Sequence, residues 1–233
     1  MNDNVSDITV ARGGTVDRVV EGLRAGILGG RYVPGQHLIE ADLTHDFNVS
    51  RGPLREAFRR LSAEGLLQIV PNRGALVRQL SYGEIVEIFQ IRSALEPLAA
   101  RLAAQAIDQE DNRRRFEAAI REIWDDAPRR DPGYHRENQT FHFAILAVCG
   151  NAQLADFSRQ LQLPLLLLQL SGDKTPGMYL VSVLEHREIA TAVLHGDGSA
   201  AEAAMHRHLE RTCHIVETMP ESIYRDPLAR RAE

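Results

Sequence analysis

The sequence has little cysteine, no membrane-length apolar run and no net positive charge, and each shortage removes a class of protein. The two cysteines among 233 residues, Cys149 and Cys213, lie far apart and form no C-x-x-C pair. Neither a disulfide framework nor a thiolate zinc knuckle is indicated, and both thiols are expected in a core. The N-terminus carries no basic-then-apolar leader, and the richest apolar stretch, Leu161 to Leu170, is broken by Gln162, Pro164 and Gln169. That stretch is too short to span a bilayer, so a cytoplasmic protein with no membrane partner is expected. A formal net charge of −5 argues against a general polyanion binder.

The total hides an asymmetry. Residues 1–80 contain ten Arg against nine acids, a balance of +1, whereas the remainder has 17 Lys+Arg against 23 acids, −6. Within the first part Arg51, Arg55, Arg59 and Arg60 are opposed locally only by Glu56. A patch of this kind is what a DNA-binding surface needs even on an acidic chain. The alternative is a solvated helix face whose arginines pair with Glu56 and Glu64. Hydrophobic residues make up 44% of the chain, enough for one large core or two ordinary ones.

Periodicity divides the chain into two parts. Residues 1–14 are polar and aperiodic and are expected to be a disordered tail. Thr15 is placed to cap a helix that turns Val16, Val19, Val20, Leu23 and Ile27 to one face, ending at Gly29-Gly30. A second helix is expected over Leu38 to Phe47. After the Asn48-Val49 turn, Ser50 opens a third that directs Leu54, Ala57, Phe58 and Leu61 inward. Gly65 stops it, and Leu66–Val70 and Ala75–Arg78 read as a short hairpin, a wing behind a recognition helix. From Ser81, where Ser81 and Glu84 have capping-box spacing, the pattern becomes helical throughout. Helices are expected near 82–106, 109–126, 132–149, 152–170, 177–194 and 199–219, with kinks at Pro97 and Pro164. The predicted architecture is mainly α. A winged helix-turn-helix over 15–80 is followed by an antiparallel helical bundle over 81–220 and a tail over 221–233.

Residues Gly30 to Gly74 carry Pro34-Gly35, Leu43, Val49-Ser50-Arg51, Pro53, Arg55-Glu56-Ala57, Leu61, Glu64-Gly65 and Arg73-Gly74. In this pattern the segment resembles the winged helix of the GntR superfamily of transcription regulators. The helical remainder resembles the ligand-binding domain, the FCD type, of its FadR subfamily. The residues carrying that likeness are Ile91-Arg92 to Leu95-Glu96, Phe141-His142, Glu185-His186, Gly196-Asp197 and His208-Leu209. The resemblance implies a regulator, most often a repressor, whose affinity for double-stranded operator DNA is controlled by a small-molecule effector. Ser50 caps the recognition helix and leaves Arg51 and Arg55 one turn apart, where a guanidinium fork reaches phosphates or guanine edges. Arg59 lies deeper in the helix, and the resemblance brings Arg73 and Gly74 at the wing tip to the minor groove or backbone. One such module contacts too little DNA for a specific site, so a homodimer on two half-sites is expected.

Histidines form the second constellation. Asn138 and His142 are four apart and share a helix face, while His186 and His208 lie on the apolar faces of two other helices. A lone buried histidine is usually a core residue, but three on three helices at the positions of the FCD motif point to a divalent metal. The resemblance implies zinc or nickel held by an Asp and three His, with Asn138 standing in this chain where the family has Asp. An amide oxygen still coordinates but brings no charge. Asn138, His142, His186 and His208 are therefore the expected metal and effector ligands. A carboxylate effector would use the ion's open positions and Arg92 as a second anchor, unless Arg92 pairs with Glu96 one turn away. Open positions on a His-bound ion also leave a metal-dependent hydrolase as the alternative, with Glu185 as its only candidate base.

Overall fold

In the computed structural model residues 14–71, 73–125, 133–169, 176–219 and 224 are described. The expected tails, 1–14 and 221–233, lie outside them except for Gly14 and Tyr224.

The first core is built by α1 (Thr15–Leu28), α2 (Glu40–Asp46) and α3 (Arg51–Ala63) with strands β1 (His37–Leu38), β2 (Leu67–Val70) and β3 (Gly74–Val77). Gly14, not Thr15, is the N-cap of α1, and its amide donates to the Asp17 carboxylate at 2.9 Å. In α3, Leu54, Ala57, Phe58 and Leu61 are buried at the spacing the sequence indicates, and removing each large side chain from water contributes about 1.5–3 kcal/mol. They meet Val19, Val20, Leu23 and Ile27 of α1 in one apolar cluster. Asn48 takes φ +50 in the turn between α2 and α3, a left-handed conformation that Asn tolerates.

The hairpin was legible; its third strand was not. The sheet order is β1-β3-β2, all antiparallel, with His37 opposite Leu76 and Leu38 opposite Ala75. Leu38 thus belongs to a strand, and α2 starts two residues later than periodicity suggests. Gly74, at φ +93, makes this pairing sterically feasible: a Cβ there would lie 2.4 Å from the Leu38 carbonyl oxygen. Gly74→Ala is therefore expected to cost about 2–3 kcal/mol through backbone strain and to displace the wing from β1. Thermal denaturation of the purified variant measures it, and an unchanged melting temperature would contradict the argument.

The second core is helical: α4 (Tyr82–Ala106), α5 (Asn112–Ala119), α6 (Gly133–Val148), α7 (Ala152–Gln169), α8 (Pro176–Leu194) and α9 (Gly198–Glu217). Ser81 caps α4 with the predicted reciprocal box, its Oγ accepting from the Glu84 amide while Glu84 accepts from the Ser81 amide. The helix expected over 109–126 is instead the short α5 followed by a 3₁₀ turn, Arg121–Trp124. α4 and α7 run on through Pro97 and Pro164 as continuous helices. α4 packs along α9, which in turn packs on α8, while α6 and α7 close the bundle. Cys149 is buried as expected, but Cys213 is only half-buried at the edge of the core. No helix among the described residues is long and apolar enough to cross a membrane.

The two cores meet with almost no spacer. Val77 is buried in the first and Leu80 in the second, and Arg78 pairs with Glu84 of the α4 cap at 3.2 Å.

Candidate functional site

The recognition helix and the wing enclose a groove of about 550 Å³ lined by Arg51, Arg55 and Arg59 of α3 and by Arg73 and Gly74 of the wing. Four of these side chains are cationic forks on one surface, which suits phosphates and base edges. Ser50 is the N-cap of α3 but its hydroxyl makes no capping hydrogen bond. The predicted pairing of this face with Glu56 and Glu64 is partly realised. Arg59 and Arg60 approach Glu56 at 3.3 and 3.6 Å, and Arg60 reaches across to Asp17 at 2.7 Å. Glu64 instead pairs with Arg24 of α1. Arg55 has a partner that sequence reasoning missed: Glu40, at the start of α2. Among the described residues, Arg51 and Arg73 form no salt bridge.

In the bundle, α6, α8 and α9 bring His142, His186 and His208 together, with one ring nitrogen of each lying within 4.8 Å of the others. All three are buried. Phe141 stacks on His186 with ring centroids 4.1 Å apart and fixes its plane. Behind each imidazole stands a glutamate at Nδ1: Glu137 at 3.1 Å from His186, Glu185 at 2.7 Å from His208, and Glu96 at 2.8 Å from His142. The first two are hydrogen bonds; the third is close but not aligned as one. Two of these carboxylates have arginine partners, Glu96 with Arg92 and Glu185 with Arg211. Both Arg92 and Glu96 are buried, so of the two roles open to Arg92 the structure supplies the ion pair.

This arrangement orients Nε2 inward. Among the described residues the buried His186 Nε2 has no hydrogen-bond partner, and its ring lies with its centroid 5.4 Å from that of His142 and 4.8 Å from that of His208. Burial lowers the His186 pKa to about 4 against the opposing pull of the Glu137 hydrogen bond. It lowers that of His208 to about 3 against Glu185. Both rings are neutral at pH 7, the state in which imidazole binds a metal. Carboxylates on the far nitrogen are the usual outer support of metal-bound histidines. The donor set therefore fits a divalent ion. Asn138, one turn before His142 on α6, is half-buried. His195, His206 and His214 are exposed.

Glu137 and Glu96 were not identified as supports from sequence, because each serves a histidine on another helix. Glu185 does point away from His186, as helical geometry requires, and turns to His208 instead. Held also by Arg211, it is not free to serve as the base of a hydrolase.

Residues 15–77 match the family model for bacterial regulatory proteins of the gntR family, and residues 87–211 match that of the FCD domain. A protein of Paenarthrobacter nicotinovorans named for repression of a D-xylose utilization operon is 34% identical over 184 residues, 77% of this chain and 79% of that one. The HTH-type transcriptional repressor RspR of Escherichia coli K12 is 34% identical over 199 residues, covering 81% and 82%. In fold, the chain is similar to E. coli McbR/YncC, with a TM-score of 0.69 and 20% identity over 88% of this chain and 98% of that one. The groove of arginines and the histidine cluster thus sit in the two matched regions, and the alternative of a hydrolase finds no support among these relatives. The chain belongs to the gntR family of DNA-binding transcription regulators, with an FCD domain as its C-terminal part.

Proposed function

We propose that the protein is a cytoplasmic repressor of the FadR subfamily. Residues 15–80 would bind double-stranded operator DNA and residues 81–220 would release it when an organic acid occupies a metal-loaded sensor. The observation that carries the sensor reading is the convergence of His142, His186 and His208 with a glutamate behind each Nδ1. With Asn138 they would hold zinc or nickel, and an ion so held supplies open positions for an effector carboxylate. Repression follows the names of the relatives.

On the DNA side, Arg51, Arg55, Arg59, Arg73 and Gly74, which line the groove, and Ser50 at the start of α3 would form the reading surface. Homodimerisation is in keeping with exposed apolar side chains on three helices of the bundle, Ile91, Phe157, Leu180, Val181 and Leu184, which a second copy would cover. The effector can weaken binding only by favouring one relative pose of the two winged helices over another.

The test is operator binding by the full chain. Arg51→Ala and Arg55→Ala are each expected to weaken it by about 1–3 kcal/mol if the lost contact is a guanine, or to reduce the salt slope by about 1 if it is a phosphate. Unchanged affinity and unchanged salt dependence in both variants would refute the assignment of the surface.

A further inference from the structure

The DNA-facing groove contains a carboxylate. Glu40 lies among Arg51, Arg55, Arg59 and Arg73, where a negative charge works against an approaching polyanion. Its side chain is one-fifth exposed and engages Arg55 in a bidentate contact. The Arg55 Nε–H donates to Oε1 at 2.8 Å and lies 3.1 Å from Oε2, and Nη2 donates to Oε2 at 3.0 Å. Stability does not account for the pair, because Arg55 is more than half exposed and exposed ion pairs contribute little.

We propose that Glu40 is a positioning residue that sets the base specificity of Arg55. It grips the side-on edge of the guanidinium and leaves the end-on fork for a guanine edge. This rests on the reading of Arg55 as a DNA contact. A guanidinium has five N–H groups. Two are committed to Glu40, and three remain, among them the parallel pair on Nη1 and Nη2 that matches the O6 and N7 acceptors of guanine in the major groove. The paired arginine is close to neutral overall and gains little from phosphate, so its remaining donors are best used on a base. It also arrives with its plane fixed, whereas a free arginine surrenders rotamer freedom on binding. Arg51 and Arg73, without salt bridges among the described residues, are left to supply the charge for the backbone. The strand β1 makes this possible: by pairing Leu38 with Ala75 it brings the first residue of α2 beside the recognition helix.

The experiment compares wild type, Glu40→Gln and Glu40→Asp as full-length proteins. Each is titrated across a salt series against an operator duplex selected from a random pool and against a scrambled duplex. In Glu40→Gln, binding to the scrambled duplex is expected to tighten and its log–log salt slope to steepen by about one, because Arg55 is freed for phosphate. The operator-to-scrambled ratio should fall about ten-fold or more, with the loss concentrated at one base pair in each half-site. Glu40→Asp keeps the charge but shortens the reach, so the ratio should fall without the change of slope. An unchanged ratio in both variants would overturn the proposal. So would an identical effect of Glu40→Gln in wild-type and Arg55→Ala backgrounds, since the two residues must then act independently. Arg55→Ala with unaltered operator binding would remove the underlying DNA contact and the proposal with it.

Discussion

An Arg92→Met variant is expected to lose about 3–5 kcal/mol of folding stability, because it leaves the Glu96 carboxylate buried without its guanidinium. Both side chains lie in the bundle interior, less than one-tenth exposed. Burial opposes ionisation of Glu96, yet the Arg92 charge and the nearby His142 outweigh it and hold the carboxyl well below the usual carboxylate range. Without Arg92 that balance is lost, and the Glu96 carboxylate is left in the bundle interior without its counter-charge. Adding Glu96→Gln in the same chain should return most of the stability, since a neutral amide needs no counter-charge and its carbonyl can still face the imidazole. Chemical denaturation in the presence of a chelator measures both variants. A single variant within about 1 kcal/mol of wild type would show that the pair is not a buried, mutually dependent one.

Zinc or nickel added to chelator-stripped protein is expected to raise its melting temperature. Binding to the folded state alone stabilises by about 2.7 kcal/mol at a hundred-fold excess over Kd. For a chain of this size that is about 5–10 °C. His208→Ala should abolish the rise, for it removes one of the three converging imidazoles. Glu137→Gln is the more informative variant. Its carboxylate is buried, orients His186 through Nδ1, and has a second oxygen with no hydrogen-bond partner among the described residues. An amide at Asn138 would bring no charge to an ion, so negative charge would have to come from behind the histidines, where Glu96 and Glu185 are already balanced by arginines. Metal affinity in Glu137→Gln should therefore fall about 10–100-fold, read by calorimetric titration. If no ion shifts wild-type melting, the three histidines are a neutral polar core and the sensor reading fails. If the ion binds both proteins equally, only the role of Glu137 fails.

What could be read from the sequence was whatever is local. The α3 face follows from 3.6-residue periodicity at Leu54, Ala57, Phe58 and Leu61, and the start of α4 from the Ser81 and Glu84 box, because both depend on neighbours within four positions. His142, His186 and His208 were legible as a set through their helix faces and the family motif. What escaped was pairing over distance. β1 is two residues long and exists only because β3, almost forty residues later, offers it a partner. Glu40 meets Arg55 across fifteen residues and Glu137 meets His186 across forty-nine, and no periodicity marks either contact. The expected helix over 109–126 failed for a local reason. Residues 109–115 contain no apolar side chain, and among the described residues of the segment the buried positions are Phe116, Ile120 and Ile123, the last two at a spacing of three that the observed 3₁₀ turn satisfies.

The junction between the two cores sets what kind of motion can pass from the helical bundle to the winged helix. Between the anchored Val77 and Leu80 there are two residues, Arg78 and Gln79, and one of them is clamped to the start of α4. At about 3.5 Å of reach per residue there is no slack to take up. The winged helix is mounted on α4 as on a hinge pin, not hung from it by a tether. The same helix carries Arg92 and Glu96 about three to four turns further on, so a small rotation of α4 about its own axis would be felt as torque on the wing.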